Sequence, residues 1–387
     1  MKDRKLTQSG STLLDCTRFS AAMIVFLGHL GPLIPAMSCF VHLAHIAVCI
    51  FFVLSGFVIR MITRDRLGNM KDFLIDRGSR IYSVTLPALF MTVICEDIAR
   101  SINPAMYSTL ASSTEPFLPR VIVQFATNLT FTAQSWGYET NPLSNSPFWS
   151  LSFECVYYLL FALLFFGARR KSARFLLALV ILLSGPAIIL LFPTWLLGCL
   201  LYDTYIWMQN KPYAFSLITG AFFAVLFMGF CLRRQVSSFM QRTDYAHRSE
   251  WLQRLFSPAM RSQLADNTGN IPWLSRFSPS FYMAAVIIFF ALLWSLIAIE
   301  RFLPRIPVAF SARLRWIAEG TFALYLLHLP ILMMLVCIFN GSPRYPYLWS
   351  AGVVLFCILV SHVFNRLKIA MRTWAHAAFR VRVAGLH

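Results

Sequence analysis

The chain has 387 residues, of which 58% are hydrophobic and only 13% charged, and its formal net charge is +18. Soluble domains carry about 25% charged residues, so the composition excludes one and predicts an all-α, polytopic membrane protein with no large soluble domain. The basic surplus sits in loops and not in a compact basic domain, which excludes nucleic acid as partner and leaves topology and anionic membrane lipids to explain it.

Apolar runs long enough to cross a roughly 30 Å hydrocarbon core lie at 14–36, 43–63, 80–99, 149–167, 174–192, 194–209, 213–232, 281–300, 317–339 and 347–365. The fifth and sixth of these ten spans are expected to meet at a tight turn at Pro193-Thr194. Lys2, Arg4 and Lys5 precede the first run. That run lacks a small-residue cleavage site and contains Arg18 and His29, so it reads as a retained span and not as a signal peptide. Basic residues cluster before span 1, between spans 2 and 3, and after spans 4, 8 and 10. The positive-inside rule then puts both termini in the cytoplasm. Residues 1–13 and 366–387 are read as tails, 14–365 as the membrane domain, and 100–148 and 233–280 as long outside loops. The second loop is basic yet falls outside, and losing one of spans 5–7 would turn it inward. The nine cysteines form no C-x-x-C pair and read as small buried hydrophobes, with no metal or redox framework.

Span 1 opens Asp15-x-x-Arg18 and carries His29 eleven residues on. Arginine and histidine therefore share roughly one helix face, about 16 Å apart. Charge inside lipid costs about 2.5–3.5 kcal/mol on insertion scales and marks function by default. His42 and His45, three apart, lack a nearby third metal ligand and read as interface histidines. Ser55-Gly56 makes a small notch in span 2 that a helix or a ligand can enter. No Gly-x-Ser-x-Gly elbow surrounds Ser55, which argues against a serine nucleophile. Arg77 and Arg80 share a face at a helix start, where they set topology or bind a phosphorylated cofactor.

In the loop 100–148, residues 117–132 are expected to form a re-entrant or interfacial helix. The stretch Gln134-Ser-Trp136-Gly-Tyr138 suits either carbohydrate stacking or an interfacial aromatic belt. Span 4 opens with Trp149 and Ser150 and points Glu154 inward, with Tyr157 three residues on. Trp195, Tyr202 and Asp203 are the polar exceptions in spans 5–7. In span 9, Tyr325 and His328 share a face and Pro330 is expected to kink the helix; His328 is either a packing residue or part of the chemistry, and His362 in span 10 is a weaker candidate.

Asp15-x-x-Arg18 with His29, Phe51-Phe-Val-Leu-Ser-Gly-Phe57, Arg77-x-x-Arg80-Ile-Tyr82, Trp149-Ser-Leu-Ser-Phe-Glu154 with Tyr157-Tyr158, and Tyr325-Leu-Leu-His328-Leu-Pro330 occur in that order. Together they resemble the acyltransferase 3 family of integral membrane O-acyltransferases, over about residues 11–365. The resemblance implies transfer of an acyl group, usually acetyl, from cytoplasmic acyl-CoA to a hydroxyl of a surface or exported glycan, at the bacterial inner (plasma) membrane. It implies His29 as the catalytic histidine, Glu154 as a second functional residue, and Arg77 and Arg80 as holders of the CoA phosphates. Ser83 stands where the family commonly has proline, and Thr321-Phe-Ala323 replaces a more usual Ser-Tyr-Ser. The chain closes about twenty residues after span 10, so a stand-alone membrane domain is expected, without the hydrolase-like domain that some members carry.

The expected scheme makes His29 the general base. Arg18, Arg77, Arg80 and Ser55 line the path of the acyl-CoA donor. Trp149, Tyr157, Tyr325 and His328 face a glycan or lipid-linked saccharide acceptor, and no metal is required. Glu154 either orients the imidazole or binds acceptor hydroxyls. The competing reading is a multi-span transporter or exporter, which leaves the Arg-x-x-Arg unexplained.

Overall fold

The structure is a computed structural model and describes residues 6–31, 34–64, 69–110, 117–137, 140–242, 279–303, 306–341 and 344–384. Those residues hold twelve α-helices, three short 3-10 turns and no strand. The helices are α1 (Gln8–Leu30), α2 (Cys39–Arg64), α3 (Met70–Ile102), α4 (Pro104–Leu110), α5 (Phe117–Leu129) and α6 (Trp149–Gly167). They continue with α7 (Lys171–Met208), α8 (Ala214–Arg242), α9 (Pro279–Phe302), α10 (Val308–Glu319), α11 (Thr321–Ile338) and α12 (Pro346–Ala384). Eight helices are long and apolar enough to cross a membrane, and the apolar part of α8, Ala214–Met228, is shorter. Most of the loop 233–280 lies outside the described residues, as do the side chains of His42 and His45.

The helix α7 accounts for two expected spans. Its 38 residues would run about 57 Å if straight, but Gly185 sits at φ 77° and ψ 172°. Gly167 meets Ala173 near the start of α7. Further on, Tyr157 of α6 meets Ile188 and Phe161 meets Trp195. Along α6 the order 157, 161, 167 thus matches 188, 195 and then 173, so α7 doubles back between 173 and 188. The reversal falls at Gly185-Pro186 and not at Pro193-Thr194. The physical reason is that only glycine takes that backbone conformation freely, whereas Pro193 stays inside the helix. Pro186 has no N–H, which leaves the Leu182 carbonyl without its helical donor. The Trp136 indole supplies one, with Nε1 donating to Leu182 O at 2.7 Å. Trp136, at φ 53°, thereby fastens the turn.

Two glycines set the spacing of the central helices. A Cβ on Gly56 of α2 would collide with the Trp195 carbonyl, and one on Gly198 of α7 with the Val53 carbonyl. Small residues let helix backbones approach closely in lipid. The notch at Ser55-Gly56 is therefore filled by a helix on its glycine side. Gly28 of α1 packs on Ala44 and Phe40 of α2 in the same way. This antiparallel register brings Arg18 level with Ser55.

The expected helix within 117–132 is present as α5, and its last carbonyl, Leu129 O, accepts from Tyr82 OH at 2.9 Å. Tyr82 lies twelve residues into α3, so the end of α5 reaches well down that helix. A buried polar knot then pins the start of α6. Glu96 accepts from Tyr107 OH and from Ser144 N, each at 2.5 Å. Asn145 Nδ2 donates to Thr92 Oγ1 at 2.9 Å and to Leu326 O at 2.8 Å. These bonds tie the chain just before α6 to both α3 and α11.

Candidate active site

The elements α1, α2, α3, α6 and α11 enclose a narrow cavity of about 80 Å³. Arg18, Ser55, Arg77, Arg80, Glu154 and Tyr325 all line it. Six residues expected to matter, on five different helices and far apart in sequence, thus converge on one space. Arg18 is held by Asp15, one turn back on α1, at 3.7 Å, and Asp15 is shared with Arg315 at 3.7 Å.

A hydrogen-bonded cluster forms one wall. Ser55 Oγ donates to Glu154 Oε1 at 2.9 Å, and Tyr158 OH donates to the same oxygen. The Trp195 indole completes it, donating through Nε1 to Ser55 Oγ at 3.1 Å. The carboxylate therefore has two donors inside a space that also holds arginines, which is how a buried charge is made tolerable. Further along, Ser150 Oγ and Tyr325 OH are 2.8 Å apart, and Phe51 packs edge-on against the Tyr325 ring.

His29 is not among the residues lining this cavity. It stands three turns beyond Arg18 on α1, partly exposed, next to the fully buried His328 of α11. His328 Nδ1 lies 2.8 Å from the Leu324 carbonyl, and its Nε2 lies 3.1 Å from His29 Nδ1. His29 Nδ1 also lies 3.0 Å from Val25 O. Carbonyl oxygens only accept, so they fix both tautomers. His328 carries its proton on Nδ1 and offers a lone pair at Nε2. His29 carries its proton on Nδ1, shared between Val25 O and His328, and its own Nε2 is left with a free lone pair.

The structure places several of these residues elsewhere than expected. The orienting partner of His29 is His328, whereas Glu154 is bonded to Ser55 and Tyr158. His328 has both nitrogens engaged and no exposed surface, a placement that suits holding its neighbour in position. Tyr157 is fully buried, and its hydroxyl donates to Ile188 O at 2.9 Å. The hydroxyl that meets Glu154 belongs to Tyr158. Trp149 packs edge-on against Phe52 and Phe153 and does not line the cavity. His362 stacks on Trp316 at 4.6 Å, away from it. Tyr158, Ser150 and Trp195 are the additions. Tyr158 is four residues after Glu154, a spacing that also shares a helix face; Trp195 joins through the α2–α7 contact, which no local pattern announces.

A family model described as an acyltransferase domain matches residues 12–366. No curated protein and no solved structure matches the chain. With nearly its whole length covered by that match, the chain belongs to the acyltransferase 3 family of membrane acyltransferases.

Proposed function

We propose that the chain is an O-acyltransferase that moves an acyl group, acetyl in the first instance, from cytoplasmic acyl-CoA to a hydroxyl of a glycan or lipid-linked saccharide beyond the opposite face of the bacterial inner membrane. The observation that carries this reading is the histidine pair, which leaves His29 Nε2 with a free lone pair about three turns along the same helix from Arg18 of the arginine-lined cavity.

His29 Nε2 takes the proton of the acceptor hydroxyl as that oxygen attacks the thioester carbonyl. The new C–O bond forms, the C–S bond breaks, and the proton passes from the imidazolium to the departing thiolate. His328 holds the charged ring through the shared Nδ1 proton. Arg77 and Arg80 receive the phosphates of the donor at the basic end. Arg18 and the Ser55–Glu154–Tyr158 cluster line the course of its pantetheine arm. Ser150 and Tyr325 lie at the outward end of the cavity, towards the histidines.

The test is transfer of label from acetyl-CoA to surface glycan acceptors by the purified protein in bilayers. Labelled glycan with the wild type and none with folded His29→Ala is the expected outcome. Uptake of intact solute without label transfer would favour the transporter reading instead.

A further inference from the structure

On the basic face, a basin of about 690 Å³ opens between α3 and the C-terminal continuation of α12. Arg77 and Arg80 line one wall, while Lys368, Arg372 and His376 line the other. The last three recur every four residues and so share one face of α12. Arg77 and Arg80 also line the inner cavity, which makes the basin its vestibule. Asp76 is the one carboxylate in the lining, and Arg372 Nε engages it at 2.6 Å. His376 Nδ1 lies 3.6 Å from Asp72 at the rim. Lys368 Nζ donates to Asn365 Oδ1 at 3.2 Å, a neutral partner. Among the described residues, no carboxylate lies within ion-pair distance of Arg77 or Arg80, and Arg77 Nε is buried without a hydrogen-bond partner.

Four permanent cations around one carboxylate repel each other, and burial makes that repulsion costly. A dianionic or polyanionic guest would relieve it, and guanidinium forks match phosphate oxygens. Resting on the acyl-CoA reading, we infer that the continuation of α12 is the second half of the donor's nucleotide site. Lys368 and Arg372 grip its phosphates opposite Arg77 and Arg80, and the Asp76–Arg372 ion pair holds the place of a phosphate until the donor displaces it. Anionic lipid headgroups share this phosphate chemistry at the same membrane face.

Equilibrium binding of CoA and of pantetheine to the full chain in bilayers tests the inference. The wild type is expected to bind CoA much more tightly than pantetheine. Lys368→Ala and Arg372→Ala should each weaken CoA about tenfold, as loss of one charge-assisted contact does, with pantetheine unaffected. Asp76→Asn frees Arg372 and should tighten CoA a few-fold, a gain that misfolding does not produce. Unchanged CoA affinity in both cation variants, with CoA still bound, overturns the α12 site and leaves the acyltransferase reading standing. If those variants lose affinity for phosphatidylglycerol bilayers but keep that for CoA, the basin belongs to lipid headgroups and the inference fails. A wild type that binds no CoA removes both readings together.

Discussion

His328 Nε2 and His29 Nδ1 lie 3.1 Å apart although the residues are 299 positions apart in the chain. The contact fixes a tautomer, because His328 spends its own Nδ1 proton on Leu324 O. In the proposed mechanism His29 is the base, and a base oriented this way loses catalysis when its partner is removed even though nothing on the substrate changes. His328→Ala should therefore lower kcat roughly 10²-fold, within the range a positioned base contributes, and leave KM for acyl-CoA near its wild-type value. His29→Ala should lose at least as much. Steady-state kinetics over a range of donor concentrations separates the two parameters. A rise in KM at constant kcat would assign His328 to binding.

In the proposed mechanism Glu154 belongs to the donor path and not to the base. Its carboxylate collects the hydroxyls of Ser55 and Tyr158 at the level of Arg18, three turns from His29. Replacing it by glutamine removes the charge while keeping the shape. Glu154→Gln should raise KM for acyl-CoA about tenfold and leave the form of the kcat–pH profile as it is. A displaced profile would put Glu154 in contact with the base and contradict the geometry. Tyr158→Phe should act in the same direction, and Tyr157→Phe should not, since the Tyr157 hydroxyl serves Ile188 O.

Much of this site was legible in the sequence because polar residues in apolar runs are costly and therefore conspicuous. Arg18, Ser55, Glu154 and Tyr325 stood out in this way and Arg77 and Arg80 by their spacing at a helix start, and all six line one cavity. Legibility ended where azimuth decides. Spacings of three and four residues share a helix face equally well, so nothing local distinguishes Tyr157 from Tyr158; the α6–α7 packing does. The pairing of His29 with His328 is a tertiary contact that neither helix encodes alone. Pro193 drew attention as a break, yet proline is tolerated in membrane helices whose freed carbonyls find donors. Gly185 followed by Pro186 was the better signal, because it combines left-handed freedom with a proline suited to a helix start.

Close backbone packing at Gly56 and Gly198 makes a stability prediction with an internal control. A methyl group at either position meets a carbonyl of the facing helix, and overpacking typically costs about 1–3 kcal/mol. Gly56→Ala and Gly198→Ala should both lower the apparent Tm of the detergent-solubilised protein. A Cβ on Gly220 of α8 meets nothing within 4 Å, so Gly220→Ala should be neutral or stabilising by up to about 1 kcal/mol. Equal Tm values for all three variants would mean that the α2–α7 interface is looser than described.

Glu96 makes the last prediction, since it acts on the site without touching it. It is buried and receives Tyr107 OH and Ser144 N, next to Asn145, which bonds Thr92 and Leu326 O. These bonds hold the residues that lead into α6, and α6 carries both Ser150 and Glu154. Glu96→Ala removes the acceptor of Tyr107 OH and Ser144 N, at about 1–3 kcal/mol each. The Tm should fall accordingly. The Ser150–Tyr325 contact depends on the same anchor, so the surviving folded protein should also lose turnover. Glu96→Gln retains one acceptor oxygen and should fall between wild type and alanine in both measurements. If Glu96→Ala unfolds early yet turns over normally below its transition, the knot stabilises the fold without positioning α6.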